Sequence, residues 1–299
     1  MNMLRDRRAN DHGMMRAAWA RAVDRAMQLI PEPRRFVLQE ALERLPPGRY
    51  PVETEPPPVA PGRVTGLPDF IGVGAQRSGT TWWFQLLTSQ PAIHHERGLR
   101  KERHFFDRFY ESTPSEADVE TYTNWFPRPP GKLVGEWTPS YMHHFWVPPL
   151  LALVTPEAKL VVMLRDPLAR YRSGLTWEMH YGSLARFSYV DDAFAMGMYG
   201  AQLERLRAAV APSNILVLQY ERCLVDLTNQ LRRTLEFLGI DDAPKVIERE
   251  VNVSVGSKVE MPRHVHEELV ARYAPDVRAL LTMAPEIDVD LWPGMASAL

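Results

Sequence analysis

Apolar residues near the N-terminus recur at helical spacing: Met15, Trp19, Val23, Met27 and Ile30 form one stripe within residues 14–30, with Arg16, Arg21 and Arg25 on other faces. That period predicts an amphipathic helix, and a second helix is predicted over 33–45. The next run, PPGRYPVETEPPPVAPG from Pro46 to Gly62, carries too much proline for a helix or a central strand and reads as an extended linker. Beyond it the pattern changes. Four short β-rich runs, FIGVG from Phe70, KLVGEW from Lys132, KLVVMLR from Lys159 and NILVLQY from Asn214, alternate with helices predicted over 80–89, 167–181, 191–210, 224–238 and 263–281. Such alternation predicts a parallel sheet covered by helices on both faces, with ligands bound at the carboxyl ends of the strands. The chain thus divides into an N-terminal helical arm and linker, 1–66, and an α/β domain, 67–299.

Composition narrows the function more than the fold. A chain of 299 residues with 45% hydrophobic content can bury a large core, and its formal charge of −2 argues against a dedicated nucleic-acid binder, which needs a basic surplus to neutralise phosphates. Cys223 is the only cysteine, so neither an intramolecular disulfide nor a thiolate zinc cage can form. No apolar run reaches the roughly 18 residues of a membrane-spanning helix, and the expected address is cytoplasmic. The basic amphipathic arm is expected to pack on the main domain, with contact to a membrane surface or a homodimer partner as the alternative. Histidines pair at His94–His95 and His143–His144, but neighbours on an extended segment face opposite ways and no H-E-x-x-H helix accompanies them, so no metal is expected.

The chemistry is concentrated in DFIGVGAQRSGTT, Asp69 to Thr81. A buried strand, a tight loop from Gly74 to Gly79 and a helix from Thr80 point several backbone N–H groups at one spot before a helix N-terminus, where an oxyanion binds. Ser78, Thr80 and Thr81 add hydroxyls and Arg77 adds charge. The lysine of a triphosphate loop is missing, and the second apolar strand ends in Arg165 where a magnesium site would need an aspartate. An arginine fork matches a phosphate. Asp166 and Pro167 read as the cap and first residue of a helix, and Ser173 lies about two turns along it. The loops therefore predict two separate anions with no metal between them. A magnesium- and ATP-dependent kinase, or a non-catalytic nucleotide-binding protein, is the rival reading.

GAQRSGTTW followed by RDPLARYRSG resembles the 5′-phosphosulfate loop and 3′-phosphate motif of sulfotransferases that use 3′-phosphoadenosine 5′-phosphosulfate (PAPS). The resemblance runs from about Leu67 to Trp292. KERHFFD, Lys101 to Asp107, and GEWTPSY, Gly135 to Tyr141, make it similar to the carbohydrate branch, with its heparan sulfate enzymes and bacterial relatives. It implies a P-loop-like three-layer α/β/α fold with a central, mainly parallel sheet, and transfer of a sulfuryl group from PAPS to a hydroxyl of a carbohydrate, glycolipid or small metabolite, leaving 3′-phosphoadenosine 5′-phosphate (PAP). By that resemblance Arg77, Ser78, Gly79, Thr80 and Thr81 wrap the phosphosulfate, Trp82 stacks on adenine, and Arg165 with Ser173 grips the 3′-phosphate. Ser257 and Lys258, in the late loop VNVSVGSKVEMPRH, join that phosphate or lie in a solvent loop. Glu102 falls at the general-base position, and His104 either orients the acceptor or satisfies a core hydrogen bond.

The sequence departs from the family pattern at two places. Arg77 stands where a lysine is common, so it can stabilise a leaving group by charge but not protonate it. Trp137 stands where heparan-type relatives carry a lysine, leaving Lys101 as the nearest replacement cation. Trp137, His143, Trp177, His180 and Tyr199 are candidate acceptor-lining residues, with packing in the core as the alternative for the tryptophans.

Overall fold

A computed structural model describes residues 56, 58–96, 99–181, 186–246 and 259–299. Within them four strands, β1 (Phe70–Gly74), β2 (Gly135–Trp137), β3 (Lys159–Leu164) and β4 (Ile215–Gln219), form one sheet in the order β2-β1-β3-β4, parallel at every pairing. Period-two alternation sorts their side chains between two cores. Ile71, Val73, Leu160, Val162 and Val217 enter one, while Phe70, Val161, Met163, Leu216 and Leu218 enter the other.

Helices cover both faces. On the second face lie α1 (Thr80–Thr88) and α8 (Leu227–Phe237), through Trp83, Leu86, Leu231 and Leu235. The first is covered by α3 (Val147–Val154), α6 (Tyr199–Ala209) and α9 (Arg263–Met283), through Leu151, Leu203, Leu206, Tyr273 and Val277. The remaining helices are α2 (Glu116–Thr123), α4 (Pro167–Tyr181), α5 (Arg186–Ala195) and α7 (Tyr220–Val225). This is the expected three-layer arrangement. The helices predicted over 14–30 and 33–45 lie outside the described residues.

Where prediction and structure differ, tertiary contacts decide. The helix expected over 191–210 is broken into α5 and α6 around Gly197. Asp276 of α9 accepts hydrogen bonds from the Gly200 and Ala201 N–H groups at 2.8 and 2.9 Å, so α6 starts afresh against a cap supplied by another helix. The helix expected over 224–238 likewise divides at Asp226 into α7 and α8. Two helices went unpredicted. α2 opens with a reciprocal Ser115–Asp118 capping box, and α3 carries prolines in its first turn, where a missing N–H costs nothing.

Edge strand β2 sends two large side chains to opposite sides of the sheet. Its three residues alternate, so Glu136 points to the first core and Trp137 to the second. Trp137 is wholly buried, and its indole N–H donates to the Gly74 carbonyl at 3.3 Å. The ring lies where a Cβ on Gly72 would be, 1.9 Å from its nearest ring carbon. Gly72→Ala should therefore force the indole to shift and destabilise the fold by about 1–3 kcal/mol, measured as a lower denaturation midpoint in chemical unfolding.

Candidate active site

The loop after β1 passes through Arg77, with φ of 67°, and Gly79, with φ of 83°, before α1 begins. A left-handed backbone costs a non-glycine residue roughly 1–2 kcal/mol, so Arg77 is held there by its surroundings. Glycine is required at 79 twice over, by φ and by the Tyr220 ring, which a Cβ would approach to 2.5 Å. No side chain caps α1 and no acid sits in its first turn. Its first N–H groups therefore lack intrahelical partners and keep the positive end of the helix dipole turned toward the loop.

Arg165, just past β3, ties that loop down. Its Nη1 donates to the Arg77 carbonyl at 3.1 Å, its guanidinium lies 5.0 Å over the Tyr220 ring, and its Nε is buried without a hydrogen-bond partner. Arg77 Nε donates in turn to Ser173 Oγ on α4 at 3.4 Å. The two motifs that the sequence separates meet in one chain of contacts. Uncapped N–H groups together with an unpartnered buried guanidinium nitrogen fit a ligand with two anionic groups, because such donors need acceptors. Asp166 has the structural job expected of it: Oδ1 accepts from the Leu168 and Ala169 N–H groups at 2.8 and 3.1 Å.

The segment KERHFFD brings together a second cluster. Lys101 Nζ donates to Glu102 Oε1 at 2.6 Å and to the Trp137 carbonyl at 3.4 Å. His104 bridges two carboxylates, through Nε2 to Glu102 Oε2 at 3.2 Å and Nδ1 to Asp107 Oδ2 at 2.5 Å. Asp107 also accepts from Ser140 Oγ at 3.1 Å. Burial opposes charge on both central groups, yet the partners win. Lys101 and His104 hold the Glu102 carboxyl down to about 2, and Asp107 with Glu102 pushes the His104 ring up to about 10. A carboxylate beside an imidazolium is the resting state at neutral pH.

Beneath this cluster lies a carboxylate that the sequence reading passed over. Glu136 is 1% exposed. Its Oε1 accepts from Tyr122 Oη at 2.5 Å and Tyr141 Oη at 3.1 Å; its Oε2 accepts from Thr138 Oγ1 at 2.6 Å and the Arg103 N–H at 3.0 Å. The same hydroxyls reach onward. Thr138 Oγ1 accepts from the Arg103 and His104 N–H groups at 3.0 and 3.3 Å, and Tyr141 Oη from the Phe105 N–H at 2.9 Å. Three consecutive N–H groups, and the left-handed His104 with φ of 50°, thus hang from one buried acid on β2. Burial raises the Glu136 carboxyl above its ordinary range against the pull of those donors.

Several predicted residues fall elsewhere. Trp137 is core beneath Gly72, not acceptor lining, and Tyr199 is wholly buried in the first core. Trp82 is 4% exposed and packs edge-on to Trp83 and Tyr220, so Tyr220, only partly buried, is the more open ring beside the loop. Ser78, Thr80 and Ser173 are buried, while Thr81 and Trp177 are half-buried. His143 is half-buried, and burial holds its ring below the ordinary histidine range. His104, at 52% side-chain exposure, is no core histidine. Ser257, Lys258 and the His180 side chain lie outside the described residues. Asp107, Glu136, Thr138, Ser140 and Tyr141 were missed, although every one stands inside a motif already singled out. Among the described residues no group of three or more His, Cys, Asp or Glu could hold a metal ion, and no helix is long and apolar enough to cross a membrane.

Comparison with known proteins is consistent with this geometry. Residues 67–259 match the family model described as Sulfotransferase domain. The chain is 28% identical over 191 residues to heparan sulfate glucosamine 3-O-sulfotransferase 3B1 of Mus musculus, an alignment spanning 58% of this chain and 46% of that protein. It is 32% identical over 124 residues to the membrane-associated sulfotransferase kil1 of Dictyostelium discoideum, covering 39% and 25%. The chain thus spans about half the length, or less, of these two relatives. A sulfotransferase crystal structure from Alicyclobacillus acidocaldarius superposes with a TM-score of 0.60 at 23% identity, covering 75% of this chain and 98% of that one, a likeness of fold.

Two measurements probe the cluster. Thr138→Val keeps the shape but removes the hydroxyl shared by Glu136 and two backbone N–H groups, and should cost about 1–3 kcal/mol of stability in chemical unfolding. Proton titration by NMR should find His104 charged across neutral pH and losing its proton near 10. Its raised value contributes stability that is full below about 6.5 and lost as pH rises through 10.

Proposed function

We propose, from the premise that this chain belongs to the sulfotransferase family, that it moves a sulfuryl group from PAPS to a hydroxyl of a carbohydrate-type acceptor, with Glu102 as the base. The observation that carries the reading is the linkage of Arg165, Arg77 and Ser173 beside an uncapped helix N-terminus. A nucleotide with a 3′-phosphate and a 5′-phosphosulfate has two anionic groups for those donors, whereas ATP has one triphosphate and brings magnesium. The donor supplies an activated sulfuryl group. The protein then needs to hold it, align an acceptor oxygen and accept a proton.

In this reading the first-turn N–H groups of α1 with the Thr80 and Thr81 hydroxyls hold the 5′ end, and Arg165 with Ser173 holds the 3′-phosphate. Arg77, joined to both halves, is placed to neutralise charge that builds on the leaving oxygen; a guanidinium stays charged and so cannot protonate that oxygen. Glu102 takes the acceptor proton. A carboxylate held near 2 is a weak base for a resting hydroxyl, but the hydroxyl becomes strongly acidic as its oxygen bonds to sulfur, so a weak base suffices late in the step. Lys101 and His104 then stabilise the Glu102 carboxylate before transfer, with Asp107 and Ser140 fixing the His104 ring. The names of the 3-O-sulfotransferase relatives support a carbohydrate acceptor. A cytoplasmic address is also proposed, and a lone cysteine suits a reducing compartment.

Glu102→Gln should abolish labelled-sulfate transfer while leaving PAP binding by calorimetry within about twofold; transfer that persists would remove Glu102 from the chemistry. Arg165→Ala should weaken PAP binding by roughly tenfold or more, as expected for a charge-assisted hydrogen bond of about 1.5–3 kcal/mol, and adenosine 5′-phosphosulfate binding much less. Tight PAP binding without magnesium, beside indifference to ATP, separates this reading from a kinase.

A further inference from the structure

The cluster around His104 does not end at Asp107. His144 Nε2 stands 3.8 Å from Asp107 Oδ1, and its ring stacks on Trp146 with centroids 4.4 Å apart. Trp146 meets Tyr110 edge-on at 5.0 Å and Phe145 at 5.3 Å, and Tyr110 meets Phe145 at 6.0 Å. Tyr110 and Phe145 are 59% and 60% exposed. Large aromatics left this open on a folded chain lose the gain of burial, and a contiguous group of them marks a binding surface.

We propose that Tyr110, His144, Phe145 and Trp146 form an acceptor subsite, which takes an uncharged sugar ring next to the one whose hydroxyl is sulfated. The inference rests on the sulfotransferase reading and narrows its carbohydrate-type acceptor to an uncharged one with a second ring. Continuity places the shelf, since the contacts His104–Asp107–His144–Trp146 lead from the base to its aromatic floor without a break. Chemistry selects the occupant. A pyranose presents an apolar face of C–H groups ringed by hydroxyls, and an aromatic face carries the negative quadrupole that such C–H groups meet favourably. Exposed Tyr110 and Phe145 supply ring surface, and the Tyr110 hydroxyl adds a polar group to it, where an acyl chain would need an unbroken apolar groove. Charge argues against a polyanion. The charges of Lys101, Glu102, His104 and Asp107 cancel in pairs, exposed Glu111 follows Tyr110 in the chain, and Arg108 is engaged by Asp118 at 3.7 Å and by the Phe105 and Phe109 rings. Burial holds the His144 ring below the ordinary histidine range, so it adds no fixed positive charge.

The test compares labelled-sulfate transfer to a methyl monosaccharide, a neutral disaccharide, a polysulfated saccharide and a simple phenol. The disaccharide should be the best acceptor. Tyr110→Ala and Phe145→Ala should each raise its KM roughly three- to tenfold with kcat within about twofold, while Phe145→Tyr restores KM and PAP binding stays unchanged. Both residues are exposed enough for truncation to spare the core. As an independent check on the unaltered protein, selective irradiation of aromatic protons should transfer saturation to the C–H protons of the disaccharide. An unchanged disaccharide KM in both alanine variants would overturn the shelf and leave the sulfotransferase reading standing. Preference for the phenol or the polysulfated saccharide would overturn the choice of occupant. Alanine variants that break up a dimer in gel filtration would assign the surface to a second copy. No transfer to any acceptor by a protein that still binds PAP would overturn both readings.

Discussion

A carboxylate removed from water must be answered by hydrogen-bond donors, and the answer given at Glu136 organises half of the candidate site. Tyr122, Thr138, Tyr141 and the Arg103 N–H surround it. Because Thr138 and Tyr141 also accept from the backbone of residues 103–105, the segment carrying Glu102 and His104 has one position relative to the sheet. The anchor sits on β2, in register with β1 through Ile71. The loop from Gly74 to Gly79 leaves the end of that same β1. Glu102 and that loop are therefore held by adjacent strands of one sheet, which is how two segments far apart in sequence can keep a fixed separation.

Arginine does for the loop after β1 what Glu136 does for the segment around Glu102. Arg165 reaches the Arg77 carbonyl, and the Arg77 side chain reaches Ser173, so loop, strand end and helix α4 share one network. A planar fork can serve a backbone carbonyl with one nitrogen and keep another for a ligand, which the point charge of a lysine does less well. The left-handed turn at Arg77 becomes intelligible in this light: its carbonyl must face Arg165.

The electrostatics of the cluster around Glu102 and His104 follow from crowding. Lys101, Glu102, His104 and Asp107 alternate in charge over seven residues; Lys101 and His104 hold Glu102 ionised, and Asp107 with Glu102 holds His104 charged. This arrangement gives up intrinsic basicity at Glu102 for a defined orientation and a defined charge. In the proposed subsite the aromatic shelf starts at the far side of Asp107, so one carboxylate would serve both the acceptor and the positioning of His104.

Local chemistry was legible in the sequence. The strand–loop–helix around Gly74 to Gly79, the arginine in place of aspartate after β3, the capping role of Asp166 and the alternation that predicts a parallel sheet depend on neighbours within a few residues. Seven-residue motifs even contained Asp107 and Glu136, but nothing in a linear string distinguishes an acid that faces solvent from one enclosed by Tyr122 and Tyr141. That depends on which core an edge strand turns each residue toward. The same cause moved Trp137 and Tyr199 from expected lining to interior, and divided one helix at a cap that Asp276 supplies from another helix. The sequence alone determined which groups could hold anions and exchange protons, because residue type sets charge and donor geometry. Only the tertiary structure decided which of them meet, because burial and hydrogen-bond partnership are properties of the packed chain.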